Sequence, residues 1–163
     1  MDTSGLQSGI SVHITQNFPR IDVDAERMTR LAQHICRRFG FRKANINVVI
    51  TDDAQIRRLN KQFLGRNERT DCLSFDLSEP QSDRREFELV INGPLATEQA
   101  QLRGHSPLAE LALYLAHGLL HQSGFDDTDD EQARQMHRME DEILQQFGFG
   151  RVFSGQSGRC SEK

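Results

Sequence analysis

Cysteine is scarce: Cys36, Cys72 and Cys160 are the only three in 163 residues. An odd, scattered set cannot pair fully within one chain and has no CxxC spacing, which excludes a disulfide framework and a cysteine zinc site and leaves reduced thiols. Long apolar runs are also missing, and none approaches the roughly 20 residues that span a bilayer. Met1 to Gly9 lacks the basic start and apolar centre of a signal peptide. The expectation is a cytoplasmic protein without a membrane partner. Nor does one sign of charge dominate: the net charge of −4 offers no general attraction to nucleic acid. Any RNA contact must use a local basic patch, and DNA is not expected. What remains is an ordinary globular balance, 36% apolar and 27% charged, in a chain long enough for one filled core and too short for two. Residues 10–150 read as one domain. Residues 1–9 and the Gly-, Ser- and Arg-rich stretch 151–163 read as flexible ends.

Hydrophobic periodicity supplies the elements. Ile10, Val12 and Ile14 alternate as a strand, and Ile46, Val48 and Ile50, then Leu73, Phe75 and Leu77, then Phe87, Leu89 and Ile91 repeat the pattern. Met28, Leu31, Ala32, Ile35, Cys36 and Phe39 recur at helical spacing, behind Asp22 or Asp24 as a cap and ahead of Gly40. A second helix follows Asp52 or Asp53, carries Ile56, Leu59 and Phe63 on one side and ends at Gly65. The last two strands predict a hairpin with a long loop around Pro80. Pro94 opens a short helix to about Leu102, and Ser106-Pro107 caps a helix that is apolar nearly all round. Thr128 and Glu131 have capping-box spacing for a last helix with Met136, Met139, Ile143, Leu144 and Phe147 as its stripe. The order βαβαββααα predicts an α+β fold, a small mixed four-stranded sheet covered by helices, with a metal-binding central helix.

That central helix runs into His-Gly-Leu-Leu-His-Gln-Ser-Gly-Phe-Asp-Asp, residues 117 to 127. Histidines four apart on a helix project from one face, one turn apart, so two imidazoles can grip one ion. Gly124 suits a left-handed turn, after which the chain can fold back to deliver Asp127, with Asp126 as the rival oxygen donor. His117, His121 and Asp127 then form a three-ligand zinc set that leaves a fourth position for water, as metal-assisted hydrolysis requires. The structural alternative is a pair of buried histidines, each with its own polar partner. An HExxH peptidase needs a glutamate after the first histidine. Gly118 stands there, so the peptidase reading comes last for want of a base. Glu110, two turns earlier, reads as a first-turn acid facing the helix dipole.

The stretch from His117 to Asp127 resembles the HGxLHLxGYDH signature of the YbeY family of bacterial metal-dependent endoribonucleases. Leu59-Asn60, Phe63 and Thr70-Asp71-Cys72-Leu73-Ser74-Phe75 resemble that family's LNxxYR…PT(D/N)VLSF segment in the same order, so the resemblance spans roughly residues 10 to 150. It implies zinc-activated hydrolysis of single-stranded RNA in 16S rRNA 3′ end maturation and ribosome quality control, with ribosomal RNA and the small ribosomal subunit as partners. Two departures stand out. The family's third histidine is Asp127 here, which still ligates zinc but makes bound water less acidic. The arginine after the aromatic residue is Leu64, which cannot pair with phosphate, and Arg66 is the substrate-binding candidate in its place. The family's strand aspartate corresponds to Glu88, beside Phe87 where glycine is usual, which alters the site's floor unless Glu88 faces solvent. These departures support a second reading, a ribosome-associated binding factor of the same fold with weakened catalysis.

Arg57, Arg58, Lys61, Arg66 and Arg69 cluster around the second helix, and Arg84-Arg85 precede the fourth strand. The acidic run from Asp126 to Glu131 repels RNA near the metal unless cations neutralise it. His137 is expected as an exposed residue of the last helix, while His13, His34 and His105 have no partner spacing. No catalytic acid or base and no oligomeric state follow from these residues.

Overall fold

The computed structural model describes residues 9–150. The expectations for residues 1–8 and 151–163, including Cys160, lie outside the described residues. Four strands, β1 (Ile10–Gln16), β2 (Ala44–Thr51), β3 (Cys72–Asp76) and β4 (Arg85–Asn92), alternate with helices α1 (Ala25–Arg38) and α2 (Asp53–Leu64) and are followed by α3 (Gly93–Arg103), α4 (Pro107–Gln122) and α5 (Asp130–Gln146). This is the element order that periodicity predicts.

The sheet runs β1-β2-β4-β3, with the first three parallel and β3 antiparallel to β4. Register sets Ile14 beside Val48 and Val48 beside Leu89, so the alternating apolar residues of three strands share one face. Helices α1 and α4 cover that face, α5 packs on α4, and together they form the main core. On the opposite face, Ile56 and Leu59 of α2 pack against Leu73, Phe75 and Val90. Helix α4 is buried without interruption from Ala109 to Leu120. Gly118 lets it settle closely on the sheet, since a Cβ there would lie 2.7 Å from Leu89 Cδ2 and 3.0 Å from Cys72 Sγ. A glutamate at this position has no room, which removes the base of an HExxH peptidase for a packing reason.

The caps resolve the open alternatives. Asp24 accepts from the Arg27 N–H at 3.2 Å and Asp52 from the Gln55 N–H at 2.8 Å. Asp53 is thereby released to accept from Arg57, Arg69 and Asn92. At α5 the expectation is corrected by one residue: Asp129, not Thr128, is the cap, accepting from the Gln132 N–H at 2.8 Å. A carboxylate also gains from the helix dipole, which a hydroxyl does not. Thr128 turns to the Gln132 side chain and Glu131 to Arg134. Phe63 is 56% exposed rather than core, because α2 carries it outward with Phe75 as its ring neighbour, and Asn60 takes the buried position on that helix. Strand β3 stops at Asp76, leaving Leu77 exposed.

Glu110 does more than face a dipole. It is fully buried and accepts from Arg103 at 2.9 Å and from His105 at 2.6 Å, so His105 has a partner that spacing did not suggest. Cys36 and Cys72 are buried and in no disulfide, and burial pushes the Cys36 thiol up to about 12, too high for reactivity at neutral pH.

Candidate metal centre

The last two turns of α4 present His117 and His121 on one face, with Nε2 atoms 3.1 Å apart and ring planes at 89°. Beyond them the helix ends in a left-handed turn at Gly124, φ 103°, where the Gly124 N–H donates to His121 O and the Phe125 N–H to Leu120 O. The Phe125 ring anchors this turn edge-on against Phe39, with centroids 5.3 Å apart. The chain then comes back with Asp127, whose Oδ2 lies 3.8 Å from His117 Nε2 and 4.0 Å from His121 Nε2. The ligand atoms of His117, His121 and Asp127 all fall within 4.8 Å of one another. Asp126 Oδ1 instead accepts from the Asp127 N–H at 2.8 Å, stiffening the turn.

The far side of each ring explains the near side. His121 Nδ1–H donates to the Phe125 carbonyl at 3.1 Å. A carbonyl cannot donate, so the proton is on Nδ1 and the lone pair on Nε2. His117 Nδ1–H donates to Glu140 at 2.6 Å, which fixes the same tautomer. Two lone pairs 3.1 Å apart repel unless positive charge stands between them. Two neutral imidazoles, a converging carboxylate and acceptors behind the rings make a donor set that fits a divalent metal. Burial, and then the neighbouring His117, hold His121 below the ordinary imidazole value of 6.5 against the pull of Asp127, which favours the neutral ring a metal requires.

Glu140 was not read from the sequence. It is fully buried, and although burial pushes its carboxyl up, the imidazoles of His117 and His137 outweigh this and hold it down to about 2. His137 is neither a ligand nor plainly exposed: it contacts Glu140 at 3.1 Å. The signal was present, since Met136, Glu140, Ile143 and Leu144 form one helical ladder with a carboxylate at a core position.

Beside the histidines opens a cavity of about 390 Å³, lined also by Leu64, Arg66, Cys72, Leu73, Ser74, Gly118 and Gln122. Arg66 thus shares a cavity with His117 and His121, and its backbone N–H is tied to Asn60 O. Most other members of the basic clusters are spoken for. Arg57 and Arg69 pair with Asp53, Arg69 also with Glu98, Arg58 bonds Gln55, Arg84 bonds Asn45, and Arg85 pairs with Asp76. Glu88 lines a separate cavity with Asn17, Gln55, Leu59 and Val90, and Phe87 is buried on the opposite face against Phe41. Glu88 therefore forms no part of the floor beneath the histidines.

Fold and site together define a class: an α+β protein that can hold one divalent metal at the end of a buried central helix. The sequence profile of the endoribonuclease YbeY family matches residues 13–148, and the chain belongs to that family. Endoribonuclease YbeY of Sulfurovum sp. (strain NBC37-1) is 35% identical over 138 residues, covering 81% of this chain and 88% of its own length. That of Carboxydothermus hydrogenoformans is 31% identical over 140 residues, covering 85% and 98%. The solution structure of TM1509 from Thermotoga maritima has the same fold, with a TM-score of 0.57 at 21% identity over 83% of this chain and 88% of that one. Among the described residues no helix is long and apolar enough to cross a membrane.

Proposed function

We propose that this chain is a zinc-dependent endoribonuclease that cuts single-stranded RNA, with residues 10–150 as its working unit. The observation that carries the reading is the convergence of His117 Nε2, His121 Nε2 and Asp127 Oδ2 beside a cavity that Arg66 also lines, in a chain of an endoribonuclease family. His117, His121 and Asp127 would hold the ion, whose Lewis acidity makes water a competent nucleophile near neutral pH. Glu140 and the Phe125 carbonyl keep both rings in the ligating tautomer. Arg66 pairs with a phosphodiester and orients the strand, taking the part that Leu64 cannot. The cavity lining contains no carboxylate, so no side chain is assigned as catalytic base. The setting we propose is the cytoplasm, with ribosomal RNA on the small subunit as substrate and 16S rRNA 3′ end maturation and ribosome quality control as the task.

The test is cleavage of a labelled single-stranded RNA by tag-free protein with and without a chelator, and by His117→Ala and Arg66→Ala. Chelation and His117→Ala are expected to abolish cleavage, and Arg66→Ala to weaken substrate binding. Undiminished cleavage by His117→Ala refutes the mechanism. Leu64, half exposed on the cavity wall, favours one second reading: a ribosome-associated binding factor with weakened catalysis. That reading predicts binding to small-subunit particles without metal-dependent cleavage.

A further inference from the structure

The cavity that Arg66 lines also holds a polar device that the metal site does not use. Ser74 Oγ–H donates to the Gly118 carbonyl at 3.2 Å, so its oxygen is left only to accept, and it accepts from Gln122 Nε2 at 2.8 Å. This relay settles which way the Gln122 amide faces: its NH₂ lies toward Ser74 and its Oε1 away. Oε1 and the second N–H have no hydrogen-bond partner among the described residues, and the side chain is only half-buried on the cavity wall. The half-exposed Leu64 side chain supplies apolar surface to the same cavity. Gln122 also stands where the family signature has leucine, just as Leu64 stands where it has arginine, so two residues lining this cavity exchange polar for apolar character in opposite senses.

We infer that Gln122, held by Ser74, is a specificity-determining residue that reads the edge of an unpaired nucleobase seated in the cavity beside Leu64, next to the nucleotide whose phosphate Arg66 engages. A fixed amide offers an acceptor beside a donor. Held in one orientation, such a pair matches either the amino-donor and ring-acceptor edge shared by adenine and cytosine or the opposite-sense edge of uracil, whereas a phosphate, which has only acceptors at neutral pH, would face the amide oxygen unfavourably. Apolar walls with a few placed polar groups are what an extruded single-stranded base requires. The inference rests on the ribonuclease reading and adds a base preference to it.

The experiment is fluorescence anisotropy of labelled oligo(A), oligo(C) and oligo(U) with the full chain, recorded by rapid mixing before scission, for wild type, Gln122→Leu and Ser74→Ala. Thermal midpoint and metal content are measured for each variant as folding controls. Wild type is expected to separate oligo(U) from oligo(A) and oligo(C) by about ten-fold. Gln122→Leu is expected to level the three affinities, and Ser74→Ala, which frees the amide, to give a smaller loss of discrimination. Equal affinities in wild type, or a ranking that survives Gln122→Leu, overturn the inference while leaving cleavage intact. Failure of every strand to bind or be cut overturns the ribonuclease reading and this inference with it.

Discussion

The two ends of α4 each bury a glutamate against a histidine at 2.6 Å, yet they are built for different ends. At the N-terminal end Glu110 also meets Arg103, whose side chain is only 4% exposed, and a permanent guanidinium balances the charge. At the C-terminal end Glu140 meets only His117 and His137, and Asp127 meets only His117 and His121, so two carboxylates face three imidazoles with no paired Lys or Arg among the described residues. An acid and an imidazole in contact are therefore not a site by themselves. The absence of a permanent cation, with two lone pairs left converging, separates the end that calls for a metal from the end that is already neutral.

The comparison can be broken at either end. His121→Ala removes one of the three proposed ligands and is expected to abolish stoichiometric metal binding together with RNA cleavage, read by elemental analysis and a gel assay. Arg103→Met leaves Glu110 buried without its cation and is expected to cost about 3–5 kcal/mol in urea unfolding, with metal content unchanged. Loss of metal in that variant would show that the two ends are not independent. Glu140→Gln sharpens the contrast, because the amide can still accept from His117 Nδ1–H but brings no charge. Metal affinity is expected to fall about 10- to 100-fold, with Glu140→Ala at the upper end, as titration against a chelator would measure.

The smallest effect is one of pH. His121 has its folded value below the unfolded 6.5, so as pH falls below 6.5 the unfolded chain takes up the proton first. The group costs nothing above 6.5, and its penalty grows as pH falls toward the folded value. Metal-free protein should therefore lose urea resistance on acidification through this window, and His121→Ala should lose less. Equal losses in both proteins would remove His121 from the account.

The element order was legible because strand and helix periods differ and because Gly65 and Gly124 fall where helices must end with positive φ. The approach of α4 to β3 and β4 was not, since Gly118 reads as a missing base until Leu89 and Cys72 are seen pressed against it. The trio His117, His121 and Asp127 was visible from spacing along one helix and turn. Glu140 and the Gln122–Ser74 relay were not, because each joins elements far apart in sequence and its partner is set by packing. Phe63 and Leu77 show the converse failure: their periodic positions persist past the point where the sheet or core stops.

The most direct test of the central claim is the metal content of tag-free protein, wild type against Asp127→Ala, by elemental analysis. About one zinc per chain in wild type, lost or weakened in the variant, is the predicted result. A folded wild-type protein that takes up no metal even when zinc is supplied would contradict it.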